Sequence, residues 1–391
     1  MFYGEKLYTI REMFSYTRED LAKKLQVDEQ LLWKIETNQM NPDFKLINEM
    51  KNFFNVQTSY FFEKPYVNAV SDTGKIAFRK SIGDKREGIH AENTFLDYFF
   101  THISDIEQIV YPVLGPFNSY CHRVESKYNL TQLTHEDIKN IAEEAREALN
   151  IVSNNRLMYS LEISGLYIVE RKLENTIDAY STWLLEDSYP VIVLNSGKNS
   201  AVRRNFDMGH ELGHLILHQY VDFDEINADR LKELESEANL FSSYFMLPEE
   251  ELKNDFLKIG NPTKPDAYIP LKENYKMSIQ SIAYRANKEG WMTKEENRLF
   301  WKNINKQGYR KFEPLDDKLP IHIPGKIRSL IYNALKVNES FITDWLEKYS
   351  VDIKYFEYIF NIKDDFLSSN IIQPSGYHQT QNVLKLHNHW K

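Results

Sequence analysis

Two histidines four residues apart, His210 and His214, lie in a stretch otherwise built for burial. Met208, Leu212, Leu215, Ile216 and Leu217 are apolar, so a helix over residues 206–217 has almost no polar face besides His210, Glu211 and His214. Residues i and i+4 share one face of a helix, so both imidazoles reach a single point. His-Glu-x-x-His is the spacing at which two histidines bind one zinc ion while the glutamate beside them takes a proton from the attacking water. A surface helix with two chance histidines would show a polar face, and this one does not. Gly213 costs about 1 kcal/mol against Ala in a helix interior, and close packing or access to the metal would account for it.

Zinc requires a third protein ligand, and a carboxylate is a frequent one. The next helical pattern offers Glu233, Glu235 and Glu237, with Leu234, Ala238, Phe241, Phe245 and Met246 defining its buried side. Glu235 and Asn239 flank that side, whereas Glu237 falls elsewhere on the wheel and is expected to be solvated. His218, four residues beyond His214, is a rival ligand, although a third histidine on one helix drifts from the metal along the axis. Its alternative role is a C-terminal histidine favoured by the helix dipole. A single cysteine, Cys121, excludes a thiolate-based structural zinc site and an internal disulfide, fits a reducing cytoplasm, and is expected to pack as a small apolar group.

The 391 residues suffice for several domains. No apolar run approaches the ~18 residues of a membrane span, and the start has no signal-peptide pattern, so a cytoplasmic chain with no membrane partner is expected. The net charge of −9 argues against a general polyanion binder. Pro65, Gly74, Gly83 and Gly88 punctuate a linker or extended crossing over 64–90, Pro262, Pro265 and Pro270 a second loop, and Gly308, Pro314, Pro320 and Pro324 a third. Thr17, Asp28 and Asp43 are helix N-caps near the start, and Thr134 with Asp137 opens another helix. Residues 165–170, 180–185 and 189–194 read as strands, with a turn at Glu186. An exposed edge of such a sheet beside the zinc helix can hold an extended peptide by main-chain pairing. The fold class expected is α+β: a mostly α-helical multidomain chain with a small β-sheet packed on the zinc helix. The C-terminal part reads as helices over 325–335, 339–349 and 353–360, with Trp345, Tyr355, Phe356 and Phe360 in the core. The tail histidines His387 and His389 are expected in a flexible end.

The runs Pro190-Val-Ile-Val-Leu-Asn, Arg203-Arg-Asn-Phe-Asp-Met-Gly-His210-Glu-Leu-Gly-His214-Leu-Ile-Leu-His218, Glu235-Ser-Glu-Ala-Asn239-Leu-Phe241 and Met246-Leu-Pro248 resemble the ImmA/IrrE family of zinc metallopeptidases. The likeness covers about residues 134–300. It implies Zn2+ as cofactor, His210, His214 and Glu235 as its ligands, and Glu211 as catalytic general base. Ser242 stands where the family usually has Ala. The segment Ile10-Arg11, Thr17 to Val27, Ile35-Glu36 and Pro42 resembles the Cro/repressor-type (XRE family) helix-turn-helix. There the recognition helix falls on about residues 29–37, and Arg18, Glu29, Gln30, Lys34, Asn38 and Gln39 are positioned for bases or phosphates. Arg18 replaces the usual Gln, and Gln26 and Asn38 stand where Gly is common. Residues 1–66 hold nine basic and ten acidic side chains, so this module has no strong electrostatic footprint.

The domains expected are a helix-turn-helix domain over 1–66, a linker and connecting helical region over 67–133, a metallopeptidase domain over 134–305 and a C-terminal helical region over 306–391. The resemblance implies a zinc endopeptidase that cleaves a protein substrate, a transcriptional repressor or related regulator, in a stress or mobile-element response. DNA is the partner of the helix-turn-helix, and a homodimer is open to it because this motif often reads two half-sites. Tyr244 and His218 are candidates to stabilise the oxyanion. The alternative is a DNA-binding regulator or antitoxin whose peptidase-like domain senses or scaffolds with little proteolysis.

Overall fold

The computed structural model describes residues 1–76, 86–112, 114–174, 176–185, 188–197 and 200–362. The turn expected at Glu186, the expected linker residue Gly83 and the tail histidines His387 and His389 lie outside them. The chain opens with α1 (Gly4–Met13), α2 (Arg18–Leu25), α3 (Glu29–Glu36) and α4 (Phe44–Phe54). The caps are as the sequence suggests: Thr17, Asp28 and Asp43 each accept a backbone N–H of the first turn, and Thr134 and Asp137 form a capping box. A long helix, α5 (Arg86–Val110), begins inside the expected linker and is followed by α6 (Phe117–Lys127), α7 (His135–Ala148) and α8 (Leu157–Ile163).

The sheet comprises β1 (Tyr167–Arg171), β2 (Ala179–Leu184) and β3 (Tyr189–Asn195), in the order β1-β3-β2. β1 runs parallel to β3, and β2 antiparallel to it, with Tyr180 opposite Val193 and Ser181 opposite Ile192. Then come α9 (Ala201–Leu217), α10 (Ala228–Met246), α11 (Glu249–Phe256), α12 (Ile269–Tyr275), α13 (Ile279–Lys288) and α14 (Lys294–Gln307), and finally α15 (Lys326–Val337), α16 (Phe341–Tyr349) and α17 (Ile353–Phe360). The architecture is the mostly helical α+β expected.

The sheet is the wall between two cores. Ile168, Trp183, Ile192 and Leu194 face the core that includes α9, α10 and α13. Tyr167, Val169, Tyr180, Val191 and Val193 face the other, shared by α1–α5 and α15–α17. Burial on both faces explains why β3 reads Val-Ile-Val-Leu without polar alternation. The N-terminal helices and residues 350–358 meet here: Val56 bridges Val351, Ser59 bonds Ser350, and Phe14 stacks on Tyr358 at 4.1 Å. Trp345, Tyr355, Phe356 and Phe360 are buried, as expected, and so is Cys121, whose thiol burial pushes up. Among the described residues no helix is long and apolar enough to cross a membrane.

Candidate metal centre

The centre lies where α9 crosses α10. The crossing is tight because Gly213 packs its Cα against α10: a Cβ there would lie 3.2 Å from the Ala238 Cα and 3.1 Å from Phe241. Gly209 makes the same allowance for Ser242, whose hydroxyl donates to the Phe206 carbonyl at 3.0 Å. The serine that departs from the family pattern thus ties the two helices together.

This contact sets Glu235 of α10 over the two histidines of α9. His210 Nε2 and His214 Nε2 are 3.1 Å apart, and the Glu235 carboxylate oxygens lie 3.3 and 3.6 Å from them. Ligands ~2.0–2.1 Å from one tetrahedral ion sit roughly 3.3–3.4 Å from each other, so the donor set and its spacing fit zinc. Burial alone would raise the Glu235 carboxyl, but its bonds to His210 and His214 override burial and hold it well below the usual range. Burial pushes His214 down to about 3, so its ring is neutral, the form that binds metal.

The outward nitrogens are committed. His210 Nδ1 lies 3.1 Å from Asn239 Oδ1 and donates to it, leaving Nε2 as the free lone pair. His218 Nε2 lies 2.9 Å from the Glu237 carboxylate, and His218 Nδ1 lies 2.9 Å from His214 Nδ1. A carboxylate only accepts, so His218 carries its proton on Nε2, its Nδ1 accepts, and His214 must donate from Nδ1. His214 Nε2 therefore faces the metal position unprotonated. The solvated Glu237 expected from the helical wheel is corrected: its side chain is 17% exposed and joins His218 to Arg230. The wheel of α10 alone could not show it, because the partner is the residue that ends α9.

Glu211 is buried, and Ser181 of β2 donates to its Oε2 at 2.8 Å. Burial pushes this carboxyl up to about 7, with His210 and Ser181 opposing. Asp207, one turn earlier, is likewise pushed up to about 7 by burial, with Asp178 and Glu211 adding to it. Sequence reasoning missed Ser181 and Asp207, and only the four-residue spacing of Asp207 from Glu211 hinted at the second. Neither suggested oxyanion group is free for that task. The Tyr244 hydroxyl donates to Glu289 while its ring lies under Arg285, and both His218 nitrogens are engaged. The β2 edge, which lies beside α9, is covered. All six residues of β2 are buried, Leu185 N donates to Val70 O just past its end, and Lys75 closes a cavity of about 10 Å³ with Ser181, Thr182, His214 and His218. Glu235 also lines a cleft of about 780 Å³.

In the helix-turn-helix segment, Glu29, Gln30, Asn38 and Gln39 are exposed and Lys34 is half-buried on or just after α3. Arg18 is occupied otherwise: its Nε donates to buried Glu36 at 2.9 Å, and Glu36 also takes Arg11 Nε at 2.6 Å. Arg11, Arg18 and Glu36 therefore pin α1, α2 and α3 together. Asn38 adopts a left-handed conformation, φ 59°, and accepts Gly4 N at 2.8 Å; Gln26 is left-handed too, φ 54°.

Residues 161–287 match the IrrE N-terminal-like domain family, and residues 4–67 match a family described as a helix-turn-helix domain. The chain is 27% identical to the HTH-type transcriptional regulator ImmR of Bacillus subtilis (strain 168) over 93 residues, 24% of this chain and 72% of that protein.

Proposed function

We propose that a chain uniting a helix-turn-helix domain with an IrrE N-terminal-like domain is a zinc-dependent endopeptidase that acts on a DNA-associated regulatory protein. The observation that carries this reading is the convergence of His210 Nε2, His214 Nε2 and a Glu235 oxygen within 4.8 Å of one another, with Glu211 on the same helix turn. When bound, zinc polarises the scissile carbonyl and acidifies water. His210, His214 and Glu235 would hold it, and Asn239, His218 and Glu237 fix the tautomers that let the histidines do so. Glu211, whose Oε2 accepts from Ser181, would take the proton of the attacking water and pass it to the leaving amine. A carboxyl near neutrality is suited to both halves of that transfer.

The expected result is about one zinc per chain in wild type, with Glu211→Gln keeping the metal but losing cleavage of the cognate repressor-like substrate. Undiminished cleavage by Glu211→Gln would remove the assignment. A second reading, a DNA-binding regulator with little proteolysis, is favoured by the burial of Glu211 and the covered β2 edge. Gel shifts with the DNA upstream of its gene test the DNA half. Lys34→Ala should lower the slope of log affinity against log salt by about one, and Gln30→Ala should relax sequence preference. No shift even at low salt would make the helix-turn-helix a protein-binding module.

A further inference from the structure

The cleft of about 780 Å³ beside Glu235 is not explained by hydrolysis alone. Its floor and walls come from four helices: Phe206 from α9, Glu235 and Leu247 from α10 and its end, Tyr284 from α13 and Trp301 from α14, with Met277 ahead of α13. It adjoins the metal centre: Glu235 lines it, as does the Asn239 that holds His210, and the Phe206 ring stands 6.3 Å from that of His210. Its size falls within the ~300–1,000 Å³ of pockets that enclose whole small ligands, so one amino-acid side chain cannot fill it. Among its lining residues only Glu235 and Lys232 are charged, and Glu235 is turned to the histidines. Ser236, Asn239, Ser243, Gln280 and Ser281 also line it and can pair the backbone of a peptide, while its apolar and aromatic residues favour an apolar side chain by burial. Tyr284 is 55% exposed, with the Lys288 ammonium 5.5 Å from its ring centre, and Trp301 is held at the rim by its Nε1 donating to Asn297 at 3.0 Å. Trp301 lies beyond residues 161–287, which match the IrrE-like family.

We propose that this cleft binds an extended peptide through a run of two or more bulky apolar side chains, aromatic ones included, immediately beside the peptide bond presented to the metal centre. Phe206, Met277, Tyr284 and Trp301 determine that preference. The inference rests on the peptidase reading for which bond is cut, but binding needs no turnover. A protein substrate would present such a run only where it is unfolded or carries an apolar loop, which makes the cleft a filter for accessible apolar segments.

The test uses two fluorescein-labelled peptides with the same Gly/Ser flanks, one with Phe-Leu-Phe at its centre and one with Ala-Ala-Ala. Each is titrated by fluorescence polarisation against the full chain carrying Glu211→Gln, alone and combined with Tyr284→Ala or Trp301→Ala. The apolar peptide should bind at least about tenfold more tightly, and each added substitution should cut that ratio by roughly fivefold. Tyr284 is too exposed for its truncation to disturb folding, so that variant keeps the test open if Trp301→Ala does not fold. Equal binding of the two peptides, or a ratio that survives Tyr284→Ala, would overturn the proposal. Wild type that prefers the apolar peptide yet never cuts it would sink the peptidase reading and leave the cleft assignment standing.

Discussion

His218 ends α9 and at the same time dictates which nitrogen of His214 is free, because it is itself dictated by Glu237. Partners of this kind typically change metal affinity by 10–100-fold when removed. Glu237→Ala should therefore weaken zinc binding by about that factor in competition with a chelator, while Glu235→Ala should abolish stoichiometric zinc. Equal losses in the two variants would mean that Glu237 is itself a ligand. Gly213 makes the complementary point about space. Gly213→Val forces α10 away from α9, so it should lower zinc content and Tm together, whereas a metal-access role alone would spare Tm. At this scale the sequence was informative where a spacing repeats along one helix, as with His210, Glu211, His214 and His218. It was silent where the partner comes from another element, as with Ser181 on Glu211 and Glu36 on Arg18.

The helices themselves follow their local signals closely, since Thr17, Asp28, Asp43 and Thr134 cap where side-chain chemistry demands. What each helix packs on is set by nonlocal fit and was not readable: nothing in α15–α17 announces the helix-turn-helix as its neighbour. His102 of α5 sits at the centre of that contact, with Tyr66, Trp345, Tyr349 and Tyr355 around its ring. Burial, with Lys348 adding, pushes it from an ordinary 6.5 to about 3. Below pH 6.5 the unfolded chain takes up a proton that the folded one refuses until about pH 3, so this site costs stability as pH falls through that window and nothing above it. The loss is about 1.4 kcal/mol for each pH unit. Thermal unfolding at pH 7.5 and pH 5 should show a smaller acid-induced drop in Tm for His102→Phe than for wild type; equal drops would place the acid sensitivity elsewhere.

Across the described residues the thin sheet separates the two cores, which also touch where Glu162 of α8 accepts from the backbone at the start of α15, so each face of β3 serves a different task. Arg171 of β1 marks the junction, reaching Ser15 at the end of α1 while pairing with Glu92, which in turn accepts from Tyr180 of β2. Tyr180 precedes the Ser181 that holds Glu211. Truncating Trp345 to Ala should cost about 3–5 kcal/mol, as for other large buried rings. If the first core is one cooperative unit, hydrogen exchange should quicken at Leu7, Ile10 and Met50 as well as in α16. Acceleration confined to the last helices would show that they and the N-terminal helices are stable independently.

The pairing of the N-terminal helices with α15–α17 also has a timetable. Ser59 meets Ser350, 291 residues later, and Phe54 and Tyr60 share one core with Trp345, Tyr355 and Phe356 of that last stretch. At ~5–20 residues per second of synthesis, the module made first waits roughly 15–60 seconds for the helices that shield it. Throughout that interval the face that α15–α17 cover is open to any chaperone at the ribosome, and a messenger broken before their codons yields a helix-turn-helix with that face bare.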